Sequence, residues 1–505
     1  MKYLLGIDEG SQSCKMTIYD TAGNIVCRVS EPLAPMTLAA EGVAEHPGDD
    51  LWDKLCKTAK RLMREFDGDP GDITAAGLCT IRFCRALMND NGTLAQPVMS
   101  WMDARVSRPH EWTNPDVKYV TTSSGYITRR LTGELQDSAA NYLGVWPLDM
   151  DTWDYCSDDK ALEEYNLRRE NLLSLRMPGE ILGYITAEAA RETGLPEGLP
   201  IAATANDKAV EALGAGCIHT GYPDTRRPDT RRPDTRRPDT RRPDSGCLDS
   251  ATAVISLGTY IAAMTPGARN LRDPKNLWVN MACAPNQYLY ESGGVRRGMW
   301  MLSWWTKFLG EEFLADSVRL GVLPETRLER EAETIPPGSD GLLIVPHWLA
   351  LTSHPYRKGM ILGFDARHGR GHVYRAMMES IAMTIRNSVD AMCAETGSYP
   401  EEFVITGGGS NSGLFLSIFA DVLNKPVSRA SDSGSAGLGS AICAAVASGV
   451  YGSFSAAVEG MVRKGETYYP DDSRAAVYDR INTEVFRSLT DFGDEVFKKT
   501  FPIFG

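Results

Sequence analysis

One aspartate in this 505-residue chain stands where a side chain can do chemistry. In "IAATANDKAVEALGAG", Asp207 follows an apolar, strand-like run and opens a helical one, and Ala205 and Asn206 leave room around its carboxylate. A carboxylate in the first turn of a helix is held in its ionised form, which makes it a weak base that is always available. Phosphoryl transfer through a loose transition state asks for little more: a carboxylate that orients a hydroxyl and accepts its proton late. By itself the residue reads more readily as a plain helix cap. Lys208 points from another side of the helix, and the spacing favours a role in solvent over a phosphate contact.

Phosphoryl transfer also needs turns that hold phosphates, and three stretches have the right grammar. In "GIDEGSQS", Asp8 ends an apolar strand. Gly10, Ser11, Gln12 and Ser13 follow, and their amides and hydroxyls could line an anion while Asp8 holds a hydrated Mg²⁺. "SLGTY", residues 256–260, repeats the pattern with Gly258 and Thr259. "TGGGSNS", residues 406–412, sets three glycines between an apolar strand and an amphipathic helix, so that backbone N–H groups and the helix dipole face the turn. It is not a dinucleotide fingerprint, because Ser412 replaces the third glycine. Taken singly, each of the three is also an ordinary tight turn. The small-residue run at 434–449 reads as close helix packing.

The elements that must position these groups come in a recurring order. "YLLGIDEGSQSCKMTIYDTAGNIV" reads as three strands joined by two turns, an antiparallel meander. Apolar residues then recur at helical spacing over residues 50–66, and "ITAAGLCTI" returns to strand. After residue 250 the order begins again, with strand, turn and strand in "ATAVISLGTYIAAMT" and strand, turn, helix and strand in "EEFVITGGGSNSGLFLSIFADVLNKPV". The expected organisation is an α/β chain of two related halves, residues 1–222 and 251–505, facing each other across a cleft. Residues 223–250 connect them.

That connector carries PDTRR written four times in tandem at 223–242. Proline at every fifth position forbids a continuous helix and the unit has no apolar residue, so a solvated, irregular loop is expected. Twenty added residues raise the cost of closing the connector by only about 1 kcal/mol. The chain as a whole carries a net charge of −13; without the repeat, which holds eight Arg and four Asp, it carries −17. Such a body is a poor partner for nucleic acid or for an anionic membrane. Eleven cysteines are scattered with no Cys-x-x-Cys pair, which points to buried thiols in a reducing cytoplasm and not to disulfides or zinc. The start has too short an apolar run for a signal peptide, and no stretch approaches a membrane span. A homodimer is the commonest assembly for such a chain, if it assembles at all.

Taken in order, "GIDEGSQS", "WMDARV", "YITRRLTGE", "NDKAVEALGAG", "ISLGT" and "ITGGGSNSGLFLSIFADVLNKPV" span nearly the whole chain. The series resembles the FGGY family of carbohydrate kinases, within the actin-like ATPase superfamily. The resemblance implies an α/β fold of two ribonuclease-H-like (actin-like ATPase) domains facing each other across an interdomain cleft. It implies ATP in the cleft with Mg²⁺, and transfer of the γ-phosphate to a sugar or polyol hydroxyl, with a ketose of the xylulose or ribulose type as the expected acceptor. Residue by residue, Asp8 matches the metal-associated aspartate, Ser11 and Gln12 the first phosphate turn, and Gly258 and Thr259 the second. Gly408, Gly409 and Ser412 match the adenosine-proximal turn, and Asp207 the catalytic base. Arg82, in "GLCTIRFCRALMNDNG", matches an arginine that glycerol kinases use on substrate hydroxyls. Trp101 and Asp103 in "SWMDAR" would add an aromatic wall beside a carboxylate. Only residues 107–125 separate "WMDARV" from "YITRRLTGE", a shorter interval than the family commonly has. On the same superfold a different class of protein is also found, nucleotide-gated binding or assembly proteins, which need no carboxylate aimed at an acceptor hydroxyl.

Overall fold

The computed structural model describes residues 1–39, 42–144, 146–219, 252–350, 353–432 and 434–504; the PDTRR repeat lies outside them. The amino-terminal meander forms as the alternation of apolar runs and turns predicts: β1 (Tyr3–Glu9), β2 (Ser13–Asp20) and β3 (Ile25–Pro32) are successive antiparallel neighbours. Three further strands complete the sheet: β4 (Ile73–Thr80), β5 (Ile181–Tyr184) and β6 (Pro200–Ala203). The order across it is β5-β6-β4-β1-β2-β3, with β4 parallel to β1 and β6 parallel to β4. The central β1 and β4 are buried almost throughout, as parallel strands covered on both faces must be.

The second half repeats the plan. Its strands are β7 (Thr252–Leu257), β8 (Tyr260–Gly267), β9 (Leu277–Met281), β10 (Tyr288–Ser292), β11 (Glu402–Thr406), β12 (Val427–Ala430) and β13 (Lys464–Tyr468). They run in the order β9-β10-β8-β7-β11-β12-β13. Apart from the added edge strand β9 and a two-residue strand, Val295–Arg296, that pairs with β8, each strand of this sheet has a counterpart with the same neighbours and the same sense in the first. The β7–β8 hairpin stands for β1–β2, β10 for β3, and the parallel β11 and β12 for β4 and β6.

The helices follow the same correspondence. α1 (Asp50–Glu65) and α2 (Ser123–Thr132) flank β4 in sequence, and α3 (Asp207–Gly214) follows β6. In the second half, α4 (Gly298–Phe308) and α5 (Pro324–Glu333) are insertions. α6 (Arg370–Thr396) and α7 (Gly413–Leu423) flank β11, and α8 (Ser435–Ala447) follows β12.

α3 and α8, the two equivalent helices, cross each other where the halves meet. Small residues make the crossing close: a Cβ on Gly214 would lie 1.9 Å from the Ser435 carbonyl oxygen, and one on Gly439 2.0 Å from that of Val210. α8 also lies on the first sheet, where Gly6 and Gly77 touch the backbone of Gly437 and Ser440 in the same way. One apolar cluster therefore runs from β1 and α3 through α8 into β8. Among the described residues no helix is long and apolar enough to cross a membrane, and the cysteines are free and mostly buried.

Candidate active site

The seam beneath that crossing is where the chemical side chains gather. β6 ends at Ala203 and the chain turns into α3, whose cap is Asn206: its side-chain oxygen accepts the N–H groups of Lys208 and Ala209, each at 3.2 Å. The capping role open to Asp207 thus falls to its neighbour. The Asp207 carboxylate, which also accepts the Lys208 N–H at 3.0 Å, keeps a third of its side chain exposed. Arg82, two residues beyond β4, brings its Nε to 3.7 Å from Asp207 Oδ1.

Burial is the main influence on Asp207. It pushes the carboxyl above its ordinary value of 3.8; Arg82 and Lys208 pull it back, and Glu211 and Glu291 push it further up. Desolvation and two like charges thus act against the helix terminus, which favours the ionised form.

Arg82 is not free to swing. Its two terminal nitrogens donate to both oxygens of Glu291 at 2.8 and 2.9 Å, and Glu291, on β10 of the other half, also accepts from Asn280 Nδ2 at 3.1 Å. The guanidinium is thereby clamped in the bidentate geometry that suits it, leaving Nε turned toward Asp207. The next residue, Phe83, sits in the left-handed region at φ 61°, with its ring 5.2 Å from the Arg82 guanidinium carbon. A bulky residue holds that conformation only where its surroundings fix it.

The Lys208 expectation is corrected. Its side chain is only 13% exposed, and the ammonium bonds Glu211 Oε2 at 3.0 Å and Ser256 Oγ at 2.5 Å. Ser256 Oγ in turn donates to Glu211 Oε2 at 2.9 Å, and Thr406 Oγ1 donates to Glu211 Oε1 at 2.6 Å. Ser256 is near the end of β7 and Thr406 ends β11, so two residues of α3 bridge the strand ends of the second sheet. Glu211 was legible as a partner on the Asp207 face of α3 from its i, i+4 spacing. Glu291 carried a weaker signal, a carboxylate within the apolar run "QYLYES".

Asp8 is the penultimate residue of β1, buried and 3.5 Å from Lys15. Its carboxyl is raised by burial and by the charges of Asp207 and Glu211, against which Lys15 works. A buried carboxylate among like charges is a group that a divalent cation would relieve, so the donor chemistry fits Mg²⁺. Among the described residues no group of three or more His, Cys, Asp or Glu could hold a metal unaided; Mg²⁺ commonly takes one or two carboxylates and completes its shell with phosphate and water.

The three turns differ in what faces them. An added Cβ would meet nothing within 4 Å at Gly408, only the Tyr260 oxygen at 3.9 Å at Gly258, and nothing closer than 3.6 Å at Gly10. Ser11 is half-buried, while Gln12 and Thr259 are exposed. These are open cradles. Gly409 is different: its Cβ would lie 2.8 Å from Leu257, so this glycine serves packing. Ser412 caps α7 by accepting the Phe415 N–H at 3.1 Å, and its hydroxyl donates to Glu329 of α5 at 2.6 Å.

Asp103 does not face a ligand. It is fully buried, and its two oxygens accept from the Ala44 and Arg105 backbone N–H groups and twice from the Arg105 guanidinium, all at 2.7–2.9 Å. Its carboxylate fixes the loop. Trp101 is 42% exposed and not part of the core; backbone pairing of Arg85 with Met99 holds its segment against the Arg82 loop.

Two matching α/β sheets, each carrying open glycine turns, define a two-domain, actin-like fold. Xylulose kinase from Rhodospirillum rubrum has the same architecture: TM-score 0.78 at 23% identity, covering 98% of this chain and 100% of that one. Gluconate kinase from Lactobacillus acidophilus gives a TM-score of 0.80 at 19% identity, covering 99% of each. The family models for the N-terminal and C-terminal domains of the FGGY family of carbohydrate kinases match residues 3–114 with 109–214, and 253–448. The chain belongs to that family, whose members are ATP-dependent sugar kinases. An Escherichia coli K12 protein described as uncharacterized sugar kinase YgcE is 43% identical over 502 residues, 99% of this chain and 96% of that protein.

Proposed function

We propose that the enzyme transfers the γ-phosphoryl group of ATP to a hydroxyl of a ketose or polyol, with Asp207 as general base. The observation that carries this reading is the placement of Asp207: partly open, uncapped, and facing the clamped Arg82 at the seam between the two sheets. In the step, the acceptor oxygen attacks the γ-phosphorus as the bond to the bridging oxygen breaks, the electron pair departs with ADP, and the hydroxyl proton passes to the Asp207 carboxylate. A carboxyl raised by burial is better matched to that proton than an ordinary one.

Arg82 Nε is the group placed to donate to an acceptor hydroxyl beside Asp207, and Trp101 offers the apolar wall that sugar C–H faces require. Such a donor, base and wall suit a ketose of the xylulose or ribulose type. Ser11 and Gln12, Gly258 and Thr259, and Gly408 are the proposed phosphate and nucleotide contacts, while Gly409 and Ser412 shape the third turn from behind. Asp8 would hold Mg²⁺, which when bound screens the charge of the β- and γ-phosphates.

A coupled assay of ATP consumption over a panel of ketoses, aldonates and polyols tests the reading. One acceptor class should give saturable, sugar-dependent turnover, and Asp207→Asn should lower kcat on it by about 10² to 10⁴. Undiminished turnover by Asp207→Asn, or no acceptor-stimulated turnover in the parent enzyme, refutes it.

A further inference from the structure

Lys208 stands out because its position and its bonding partners exceed what a surface helix residue needs. It is next to the proposed base, and its ammonium reaches across to Ser256 at 2.5 Å, two residues before the Gly258–Thr259 turn. Glu211, its ion-pair partner, is tied to Thr406, two residues before Gly408. The Lys208–Glu211 pair is thus rooted at the base of both open turns of the second half, while Asp207 lies on its other side. A phosphoryl group moving from a nucleotide on those turns to an acceptor at Asp207 passes this ammonium.

The donor count is also incomplete. An ammonium has three N–H groups, and among the described residues two have acceptors, Glu211 Oε2 and Ser256 Oγ. With 13% of the side chain exposed, the third N–H is left to water or to a ligand oxygen. Arg82, the other cation here, spends both terminal nitrogens on Glu291.

We infer that Lys208 is a further catalytic residue: its third N–H is directed to a γ-phosphoryl oxygen and stabilises the charge that spreads over those oxygens during transfer. This deepens the kinase reading proposed above and rests on it. Glu211 then has a definite task. Without nucleotide it keeps the buried ammonium paired, and Ser256 and Thr406 hold it so that Lys208 stays extended toward the turns. No bond to Lys208 forms or breaks; the lysine supplies charge and one hydrogen bond, as arginine and lysine clamps do on other transferring phosphoryl groups.

Removing Lys208 alone would strand the Glu211 carboxylate, so the decisive variant is Lys208→Met with Glu211→Gln, which removes both charges and leaves an amide whose oxygen accepts from one of the Ser256 and Thr406 hydroxyls and whose N–H donates to the other. Two readouts separate catalysis from scaffolding. With acceptor sugar, kcat should fall by about 10² to 10³ while the sugar KM holds. Without sugar, the preference of the protein for ATP over ADP, read by calorimetric titration of each with Mg²⁺, should fall by at least about tenfold, the size of one lost charged hydrogen bond, with ADP affinity unchanged. Wild-type turnover in the double variant, or an intact ATP-over-ADP preference, overturns the inference. If the parent enzyme phosphorylates no sugar, the kinase reading fails, and the nucleotide preference still decides whether Lys208 contacts the γ-phosphate.

Discussion

Gly439→Ala is a severe test of the idea that α3 and its Asp207 are positioned by the crossing with α8. The added methyl group would sit 2.0 Å from the carbonyl oxygen of Val210, about 1.4 Å short of the 3.4 Å at which such contacts become ordinary. The obstacle is backbone, so no side-chain rotation relieves it; α8 and α3 must part. Val210 is three residues from Asp207 on a short helix, and a displacement of that order at Val210 is carried to the carboxylate. Overpacking of this kind costs about 1–3 kcal/mol, offset by roughly 1 kcal/mol because alanine is the better helix former. The net loss is at most about 2 kcal/mol, and Tm should fall by no more than about 4–8 °C. Catalysis should suffer more, since a misplacement near 1 Å can cost about 10²-fold in rate. Thermal denaturation and steady-state kinetics of Gly439→Ala should therefore show a modest stability loss beside a hundredfold drop in kcat. Gly452→Ala, where an added Cβ meets nothing within 4 Å, serves as the neutral control. A Gly439→Ala enzyme with parental Tm and kcat would refute the argument, because it would show that the crossing yields without moving the base.

Gly408→Ala reverses that pattern: the site is open, so Tm without nucleotide should be unchanged while the KM for ATP rises about tenfold or more, and a KM equal to the parent's would remove this turn from the nucleotide site. In Arg82→Met the group that most lowers the Asp207 carboxyl is gone, leaving Lys208 to oppose burial, Glu211 and Glu291. The base must be ionised to act, so the acidic limb of kcat/KM should move to higher pH and kcat at neutral pH should fall; a limb that stays put or moves down contradicts the assignment. Asp207→Asn should be more thermostable than the parent at pH 7. Burial raises the folded carboxyl above its ordinary value of 3.8, so the ionised form costs stability as pH rises through that interval and the cost persists above it, while below 3.8 the two proteins should converge. Differential scanning calorimetry at both pH values checks the sign.

The strands and the three turns were legible because their signals are local. Alternating apolar runs broken by glycine specify β1–β2–β3, and the same grammar specifies β7–β8. Spacing found α1, and the small-residue run announced α8 without saying what it would pack against. What the sequence hid depends on the meeting of the halves. Lys208 was assigned to solvent because helix geometry turns it away from Asp207, yet α3 has the second sheet's strand ends on that side. Asp103 looked like a ligand carboxylate by type and neighbourhood, but Ala44 and Arg105 consume its lone pairs, and Ala44 is far away in sequence. Asn206 and Asp207 are both good caps, and only the fold decides which side chain turns back to the helix.

The two kinds of contact at the seam respond differently to a ligand. At the α3–α8 crossing, carbonyl oxygens fill the space where glycine lacks a side chain, and such contacts cannot be exchanged for anything without separating the helices. Nearer the open turns the halves are joined by Arg82–Glu291 and by Lys208 and Glu211 with Ser256 and Thr406. Those are hydrogen bonds and ion pairs that hold largely buried carboxylates, Glu291 and Glu211, and stripping the cation from either is costly. A ligand oxygen can instead accept from Arg82 Nε and from the remaining N–H of Lys208 without breaking those pairs, while the crossing keeps α3, and with it Asp207, in register. Ligands can enter the cleft without disturbing the alignment on which the proposed proton transfer to Asp207 depends.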